Sequence, residues 1–504
     1  MRRLFLLLAM MLAWAGPARA DDISAAGRGV VRIVTIAVTG DEGFGHGSGF
    51  AVAPNRVVTN YHVVEAVNRY PGNIVIGVVP SEGAKPFQGK LIAWDEERDL
   101  ALIEFTGVRL PPLTLYKGTT QEGDPLIALG YPGNVDMATA RSAVDFITPQ
   151  SPVRTQGNLS GLRNISGLAM LLHTAAIARG NSGGPLLDRC GRVLGVNRAV
   201  TNNESGDSSF AFAVAGTELA AFLDAQKQSY SVVSVPCTSI EDQIQHDRAA
   251  ADAARVQADE DARIAAAKAA TDRENALAQA RQNNESTREN FMAIAAVLLV
   301  LGGLCLGGAG LLLSRGQQRE AIWVAVGGAV LFAGAAALFL SRPNFDETKI
   351  VPVAGPTARP IETVAAEGKL LCTLQADRSR VILSAAETVP LDVGADGCIN
   401  GRTQYSEDGS HWLRVLVPEQ EQTVSVLDFD PATSTYTNTR YLLSAEQMTR
   451  ARQLRSGVQL KACSSDQAAR GNLATQQQSI RGALPSVYNE KLVYHCAAAA
   501  VGTP

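Results

Sequence analysis

Two long apolar runs without a charged side chain place the strongest constraint on how this chain can fold. They cover residues 291–313 and 321–340. Each meets the requirement of about 20 predominantly apolar residues for a membrane-spanning helix. A buried hairpin in a soluble protein is the alternative, but two such runs in succession favour a transmembrane hairpin. The sequence therefore predicts a lipid membrane as one partner of this chain.

The N-terminus has the parts of an export signal. A positive start at Arg2 and Arg3 is followed by a short apolar run and then by small residues at Ala18 and Ala20. This is the pattern that a signal peptidase requires. Residues 1–20 are therefore predicted to be a signal peptide. An uncleaved anchor is the alternative, and in both cases the domain that follows lies outside the cytoplasm.

Counting the membrane crossings predicts the topology. Because the first domain is exported, the first apolar helix would return the chain to the cytoplasm. Arg315 and Arg319 lie in the loop that follows, in agreement with the positive-inside tendency. The second helix would carry residues 343–504 outside again. We therefore expect a bacterial-type inner-membrane protein with both large domains in the periplasm.

The cysteine count also favours an oxidising compartment. The chain has seven cysteines, and Cys305 lies inside the first apolar run, where we expect it to stay unpaired. The other six can form disulfides outside the cytoplasm. Two of them, Cys190 and Cys237, fall in the first half of the chain. The remaining four fall in the last segment, where three pairings are possible and the sequence does not choose among them.

The segments outside the apolar runs differ in composition. Residues 21–236 contain many short β-type runs broken by Gly, Pro and Asn, which is typical of an antiparallel barrel or sandwich. Residues 237–290 are rich in strong helix formers and predict either a long charged helix or a linker. Residues 343–504 predict a small mixed α+β domain, which we interpret as a recognition or assembly module that could bind a regulator.

Particular runs predict individual elements. The strands expected in the first domain are Val30–Val38, Gly49–Val52, Val57–Thr59, Ile74–Val79, Leu100–Phe105, Leu126–Leu129, Gly191–Val200 and Phe210–Val214, and the closing helix is Thr217–Gln228. The elements expected in the last domain are the strands Lys369–Leu374, Arg380–Ser384, Trp412–Val417 and Thr423–Phe429 and the helix Ser444–Arg455.

A serine between glycines is the strongest chemical signal. It is Ser182, in the string Gly180-Asn181-Ser182-Gly183-Gly184. Glycines permit a tight turn and let a substrate backbone approach. The amides of Gly180 and Ser182 can then point at one spot, where the oxygen of a tetrahedral intermediate develops charge. A glycine-rich structural turn is the alternative interpretation.

A serine nucleophile needs a general base near neutral pH, because its hydroxyl is weakly nucleophilic alone. His62 is the best candidate, since it ends a β-branched run and begins a short helical pattern. His46, in a glycine loop, and His173, shortly before the serine, compete for this role. Neither has flanking residues of the same kind.

A third group must hold the imidazole in the correct tautomer and stabilise its charged form. Asp99 stands at the head of the apolar run Leu100–Phe105. A carboxylate at the mouth of a buried strand can be shielded from water and still be hydrogen-bonded. A turn residue that caps the strand is the alternative, and Asp95 is the neighbour that competes for the role.

Four motifs in sequence order support these assignments. They are Gly47-Ser48-Gly49-Phe50, Thr59-Asn60-Tyr61-His62-Val63-Val64, Asp99-Leu100-Ala101-Leu102 and Arg179-Gly180-Asn181-Ser182-Gly183-Gly184. Together they resemble the HtrA/Deg branch of the trypsin-like serine proteases, and the order His, Asp, Ser matches the chymotrypsin arrangement. The resemblance covers about residues 25–230. It implies two six-stranded β-barrels, with the triad in the cleft between them.

The resemblance also implies roles for these residues. Ser182 would be the nucleophile, His62 the base and then the acid, and Asp99 the residue that orients the imidazole. The amides of Gly180 and Ser182 would form the oxyanion hole. The substrate pocket would include Ala176, Asn197 and Ala199.

The chain departs from this family in two respects. Typical members continue into PDZ domains, whereas here the charged segment and the apolar runs occupy that place. Peptide-end sensing and cage assembly are therefore not carried over. The small neutral Ala176 argues against a preference for Arg or Lys and favours small to medium apolar residues before the cut. We also hypothesise that Cys190 and Cys237 clip the closing helix to the second barrel.

These observations predict a membrane-anchored serine endopeptidase that cleaves envelope or secreted proteins. The expected partners are a protein or peptide substrate, the membrane and a regulator bound by the last domain. A net charge of −4 gives no reason to expect nucleic-acid binding. No ligand cluster with zinc-like spacing is found, so no metal or organic cofactor is implied. A non-catalytic or latent protein that kept the protease fold is the alternative.

Overall fold

The computed structural model describes residues 21–38, 44–201, 209–343, 368–383, 388–460 and 462–499. The signal peptide predicted for residues 1–20 lies outside these ranges. The chain divides into two compact units. One contains residues up to 245 together with those from 363 onward, and the other contains residues 246–362.

The first unit begins with a six-stranded closed barrel, entered through helix α1 (Asp22–Gly27). The strand order is β1-β2-β3-β6-β5-β4. Its strands are β1 (Val30–Ala37), β2 (Phe44–Ala53), β3 (Arg56–Thr59), β4 (Ile74–Pro80), β5 (Phe87–Asp95) and β6 (Leu100–Phe105), and helix α2 (Tyr61–Arg69) follows β3. Strand β1 is buried over its first six residues because the barrel and the packing around it cover both faces.

A second barrel follows in the same unit. Pairing between β11 and β12 closes six strands, β8 to β13, into a ring, and β7 and β14 extend the sheet. The strands are β7 (Leu115–Tyr116), β8 (Pro125–Gly130), β9 (Val153–Ile165), β10 (Leu168–His173), β11 (Pro185–Leu187), β12 (Val193–Val200), β13 (Ala211–Ala215) and β14 (Val232–Val233). Its helices are α3 (Gly133–Thr139), a 3₁₀ turn (Ala143–Ile147) and α4 (Gly216–Ala225). The predicted double barrel is confirmed.

The three longest strands that the sequence missed in the double barrel, β5, β9 and β10, lack a β-branched apolar run. Strand β5 includes Lys90 and ends on Asp95, and β9 alternates polar and apolar residues, with much of its surface half-buried or exposed. Strand β10 is apolar but built from Leu, Met and Ala, which favour helices as readily as strands. Barrel closure, rather than local preference, makes these segments extended.

A disulfide joins Cys190, just before β12, to Cys237, just after β14. The hypothesised disulfide is present, but it holds the segment after β14, and not the closing helix α4, against the second barrel. It ties down the segment from which the long helix departs. In the described part of the chain, Cys305 is the free cysteine, as its position in an apolar run predicted.

The second unit is built from two long helices. Helix α5 (Ile240–Ser314) has 75 residues, which corresponds to about 110 Å at 1.5 Å per residue. Helix α6 (Gln318–Leu340) follows after a short turn. Both contain an 18-residue window of high mean hydropathy, 2.4 and 2.2, of which only 11% is buried. The charged segment is therefore helical, and it continues through residue 290 into the first apolar run without a break.

The two apolar helices meet at glycines. A Cβ added at Gly328 would lie 3.1 Å from the carbonyl oxygen of Gly302, and one added at Gly302 would lie 2.9 Å from the Phe332 ring. Close backbone approach through small residues is typical of membrane helix pairs. This contact is consistent with a transmembrane hairpin.

The last domain is a nine-stranded sheet with two helices, α7 (Ala445–Ser456) and α8 (Gln467–Arg481). Its strands are β15 (Gly368–Leu374), β16 (Thr388–Val393), β17 (Cys398–Ile399), β18 (Thr403–Gln404), β19 (Ser406–Asp408), β20 (His411–Leu416), β21 (Thr423–Asp430), β22 (Thr435–Leu442) and β23 (Glu490–Ala498). The mixed α+β class is confirmed. The strand predicted for Arg380–Ser384 is wrong over residues 380–383, where Arg380 forms an isolated bridge with Lys491. Ser384 lies outside the described residues.

The structure decides how the four remaining cysteines pair. Cys372 on β15 is bonded to Cys496 on the neighbouring β23, where the two residues are directly opposite in the register. Cys398 on β17 is bonded to Cys463, ahead of α8. The first bond joins residues 124 positions apart in the chain. Local sequence therefore carries no information about the pairing.

A buried ion pair connects the last domain to the double barrel. The Arg380 guanidinium contacts the carboxylate of Asp22 on α1 and the carbonyl of Asn489, and its Nε donates to the Thr238 carbonyl at 2.9 Å. The Asn489 amide donates to Asp22 Oδ1 at 2.8 Å. Burial raises the pKa of Asp22, and Arg380 opposes that shift. The Asp22 carboxylate is thus held by a residue far along the sequence.

Replacing Arg380 with Met should destabilise the first unit by about 3–5 kcal/mol, because Asp22 would remain as an uncompensated buried charge. Adding Asp22→Asn should restore much of that loss. Chemical unfolding of the detergent-solubilised chain measures both effects. Arg378→Met, which removes an exposed arginine bound to Gln375, is the matched control. Equal losses at the two positions, or no rescue in the double variant, would contradict the prediction.

Candidate active site

The candidate base is held at the start of a helix. His62 is the second residue of α2, and its side chain is 46% exposed. The helix follows directly from β3, so the ring projects from the rim of the first barrel. The Asn60 side chain, which is fully buried, donates to the Asp99 carbonyl at 2.8 Å. This bond ties the start of α2 to the loop that carries Asp99.

Asp99 makes a close contact with the imidazole. Its Oδ2 lies 2.8 Å from His62 Nδ1 and its Oδ1 lies 3.1 Å away, while Oδ1 also accepts the His62 backbone amide at 3.0 Å. The Asp99 backbone has φ of 54°, a left-handed conformation that Asp and Asn tolerate better than most residues. The side chain is 7% exposed. Asp95, the competing residue, instead binds Arg98 at 2.8 Å.

The candidate nucleophile, Ser182, lies in a tight turn that hydrogen bonds from Ser48 hold in place. Gly180 has φ of 97° and Gly183 has φ of 86°, and both conformations favour glycine. A Cβ added at Gly183 would lie 2.2 Å from the Ser48 carbonyl oxygen. The Ser48 hydroxyl donates to the Gly180 carbonyl at 2.7 Å, and its amide donates to the Ser182 carbonyl at 2.9 Å. Ser48 therefore fixes both ends of the turn.

The turn presents its amides as a pair. The Asn181 amide donates to the Ala178 carbonyl at 3.0 Å and closes the turn around Gly180. Within the described ranges, neither the Gly180 amide nor the Ser182 amide donates to a backbone carbonyl. Both N–H groups are therefore available to an oxygen that develops negative charge.

The Ser182 hydroxyl donates to a backbone carbonyl in this structure. Its Oγ donates to the carbonyl of Arg198 on β12 at 3.1 Å. A hydroxyl has one proton, so in this conformation it is not donated to His62. The side chain of Arg198 contacts the third member of the candidate triad, because its Nε donates to Asp99 Oδ2 at 3.0 Å. Sequence reasoning missed Arg198, because no motif marks its position.

Comparison with known proteins agrees with this geometry. The family model described as a trypsin-like peptidase domain matches residues 47–196, which include His62, Asp99 and Ser182. The double barrel is therefore similar to the trypsin-like peptidase domain and to DegP-like serine proteases. We refer to it as the HtrA-like domain after this similarity.

Individual relatives cover the same part of the chain. Serine protease Rv3671c of Mycobacterium tuberculosis is 31% identical over 179 residues, which is 34% of this chain and 40% of that protein. A probable periplasmic serine endoprotease, DegP-like, of Chlamydia trachomatis is 34% identical over 33% of this chain and 31% of its own. Magnetosome formation protease MamE of Magnetospirillum gryphiswaldense is 31% identical over 33% of this chain and 20% of its own. The match spans less than half of each relative.

The two competing histidines of the HtrA-like domain are both enclosed. His173 is fully buried on β10, and burial lowers its pKa to about 4, although the Asn197 side chain opposes that shift. His46 lies beside the nucleophile turn, since a Cβ added at Gly180 would meet its Nε2 at 2.6 Å. Burial lowers the pKa of His46, and Asp136 opposes that shift. The ring that contacts Asp99 is that of His62, through Nδ1 at 2.8 Å.

The pocket residues predicted from the resemblance divide into two groups. Asn197 has no exposed surface, and its side chain donates to the Pro185 carbonyl at 3.2 Å. Contact between Asn197 and substrate stays a prediction, and its burial leaves no side-chain surface exposed in this conformation. Ala176 and Ala199 are exposed, and their contact with substrate stays a prediction.

Burial of His173 should make the HtrA-like domain sensitive to acid. Its folded-state pKa, about 4, lies below the ordinary value of about 6.5. As pH falls, His173 therefore becomes protonated at a higher pH in the unfolded chain than in the folded one. The free energy of unfolding decreases as pH falls from about 6.5 toward 4. Between pH 7 and pH 5 the loss should be about 2 kcal/mol.

The test compares the pH dependence of unfolding in three proteins. His173→Leu should show a loss between pH 7 and pH 5 that is smaller by about 2 kcal/mol than in the unmodified chain. His495→Leu replaces an exposed histidine and should keep the original pH dependence. Identical pH dependence in all three would remove His173 as the cause.

Proposed function

We propose that this chain is a membrane-anchored serine endopeptidase that acts through an acyl-enzyme intermediate. The observation that carries the proposal is the Asp99 carboxylate bound to His62 Nδ1 in the groove that also contains the Ser182 turn. Ser182 is the nucleophile, His62 the base and then the acid, and Asp99 the orienting residue. The amides of Gly180 and Ser182 form the oxyanion hole.

The reaction follows from these roles. Ser182 Oγ attacks the peptide carbonyl while His62 Nε2 takes the hydroxyl proton, and the carbonyl oxygen becomes an anion facing the two amides. His62 then gives the proton to the leaving amine as the carbon–nitrogen bond breaks. A water repeats the sequence on the acyl-enzyme, releases the acid and restores the serine. Asp99 stays ionised throughout and holds the Nδ1 proton.

Attack requires the Ser182 hydroxyl to rotate from the Arg198 carbonyl toward His62. Rotation about the Cα–Cβ bond of an unbranched side chain moves between staggered positions and needs no backbone change. The observed conformation also favours a second candidate function, a latent enzyme or a non-catalytic binding or scaffold protein. The bound His62–Asp99 pair and the preserved nucleophile turn favour catalysis.

The membrane topology is supported by contacts inside the first unit. The Arg380–Asp22 ion pair requires the double barrel and the last domain to lie on the same side of the membrane. Two successive crossings by α5 and α6 satisfy that requirement. Disulfides in both domains favour an oxidising compartment. We therefore assign both domains to the periplasm and the short turn near Arg315 to the cytoplasm.

Protein or peptide substrates follow from the homology to proteases. Within that class, we propose envelope or secreted proteins, because the groove faces the periplasm in this topology. The exposed Ala176 and Ala199 favour small to medium apolar side chains before the cut. The last domain would bind a regulator, for which a groove of about 850 Å³ beside α8 offers space and charges of both signs, including Asp408, Arg481 and Lys491.

Labelling with a fluorophosphonate tests the catalytic assignment. The purified full chain in detergent should form a single covalent adduct near neutral pH, and mass spectrometry should locate it on the peptide that contains Ser182. Heat-denatured protein is the control, because an unassisted serine does not react at a comparable rate. A folded chain that remains unlabelled would support the latent or scaffold alternative, and an adduct on another serine would reject Ser182.

A further inference from the structure

Arg198 lies at a bulge in strand β12. Asn197 pairs with Ala213 and Ala199 pairs with Phe212, so the residue between them has no partner on β13. A bulge of this kind re-aims the backbone and side chain of the extra residue, and bulges are common next to active sites. Here the bulge directs both the carbonyl and the side chain of Arg198 to the catalytic groove.

The two contacts of Arg198 involve two different members of the triad. Its carbonyl accepts the Ser182 hydroxyl at 3.1 Å, and its Nε donates to Asp99 Oδ2 at 3.0 Å. The same Oδ2 atom lies 2.8 Å from His62 Nδ1. A cation and the imidazole therefore share one carboxylate oxygen.

This sharing has an electrostatic consequence. The Asp99 carboxylate is 7% exposed, so its charge is little screened by water, and the Arg198 side chain is 34% exposed. The carboxylate alone would stabilise a protonated imidazole strongly, because opposite charges attract at this distance. The adjacent guanidinium offsets part of that charge and repels an imidazolium.

We propose that Arg198 is a positioning residue that holds the Asp99 carboxylate against His62. Its guanidinium offsets part of the carboxylate charge and so limits the stabilisation of the protonated, inactive imidazole. The inference rests on the proposed function of the triad.

Charged groups on α2 and in the loop before Asp99 form ion pairs with residues outside the triad. On α2, Glu65 pairs with Arg69. Beside Asp99, Arg98 is bound to Asp95 and to Glu218 of α4. Arg198 is therefore the cation that the described residues place on Asp99.

The first test is the pH dependence of peptide hydrolysis by the full chain. Arg198→Gln should move the acid limb of kcat/KM upward by about one pH unit, while Arg198→Lys, which keeps the charge, should stay close to the unmodified chain. Arg163→Gln removes an equal charge from the exposed β9–β10 hairpin and should leave the profile in place. An acid limb that does not move in Arg198→Gln, or that moves downward, would overturn the proposal.

The second test needs no turnover. Diethylpyrocarbonate modifies neutral imidazoles, so the rate of carbethoxylation at His62, measured by peptide mapping against pH, reports its protonation directly. We expect the half-maximal rate to move upward by about one pH unit in Arg198→Gln. A shift in a chain that hydrolyses no peptide would uphold the role of Arg198 and reject the proposed activity. If the chain hydrolyses peptides but the carbethoxylation profile of His62 does not move in Arg198→Gln, the proposed activity would stand and the role of Arg198 would be rejected.

Discussion

Replacing Ser182 with Ala should lower kcat for peptide hydrolysis by roughly 10⁴- to 10⁶-fold. In the proposed mechanism the Ser182 hydroxyl forms the covalent bond to the substrate, and without it the oxyanion hole and binding alone give a much smaller acceleration. The fold should survive, because the hydroxyl makes a single hydrogen bond, to the Arg198 carbonyl. KM should change little, since the backbone of the turn stays in place.

The measurement is steady-state hydrolysis of a peptide library by the full chain in detergent. Ser160→Ala, on strand β9, is the matched control and should retain full activity. The variants Ser182→Ala, His62→Ala and their combination should be about equally impaired, because residues that act as a unit are not additive. Additive losses, or residual activity near that of the control, would show that Ser182 and His62 do not work together.

Replacing Asp99 with Asn should lower kcat by about 10⁴-fold. An amide at this position can donate to Nδ1, and it then favours the tautomer in which Nε2 carries the proton and cannot act as a base. Asn also tolerates the left-handed backbone of residue 99, for which φ is 54°. The loss should therefore come from the tautomer and not from unfolding.

Asp95→Asn is the control for this experiment. Asp95 is close in sequence but binds Arg98 and not the imidazole, so its replacement should leave kcat within about threefold of the original value. Unchanged thermal unfolding of Asp99→Asn would establish that the fold is intact. Similar losses at residues 95 and 99 would argue for a structural role at both positions.

Local sequence was sufficient to predict an element or a site residue where the residue type itself favours one backbone conformation or one chemical role. The β-branched runs became strands because they suit a buried pleated surface, and helix formers without proline became α5. The glycines around Ser182 mark backbone conformations that other residues rarely adopt. The choice of Asp99 over Asp95 also agrees with the contact to His62.

Tertiary structure alone decided which distant groups meet. The bulge at Arg198, the inward side chain of Asn197, the Arg380–Asp22 pair and the Cys372–Cys496 bond all depend on strand register or on packing between segments far apart in sequence. A shift of one residue in register turns every side chain of a strand to the other face. Register follows from the packing of the whole barrel, so these contacts have no local signature.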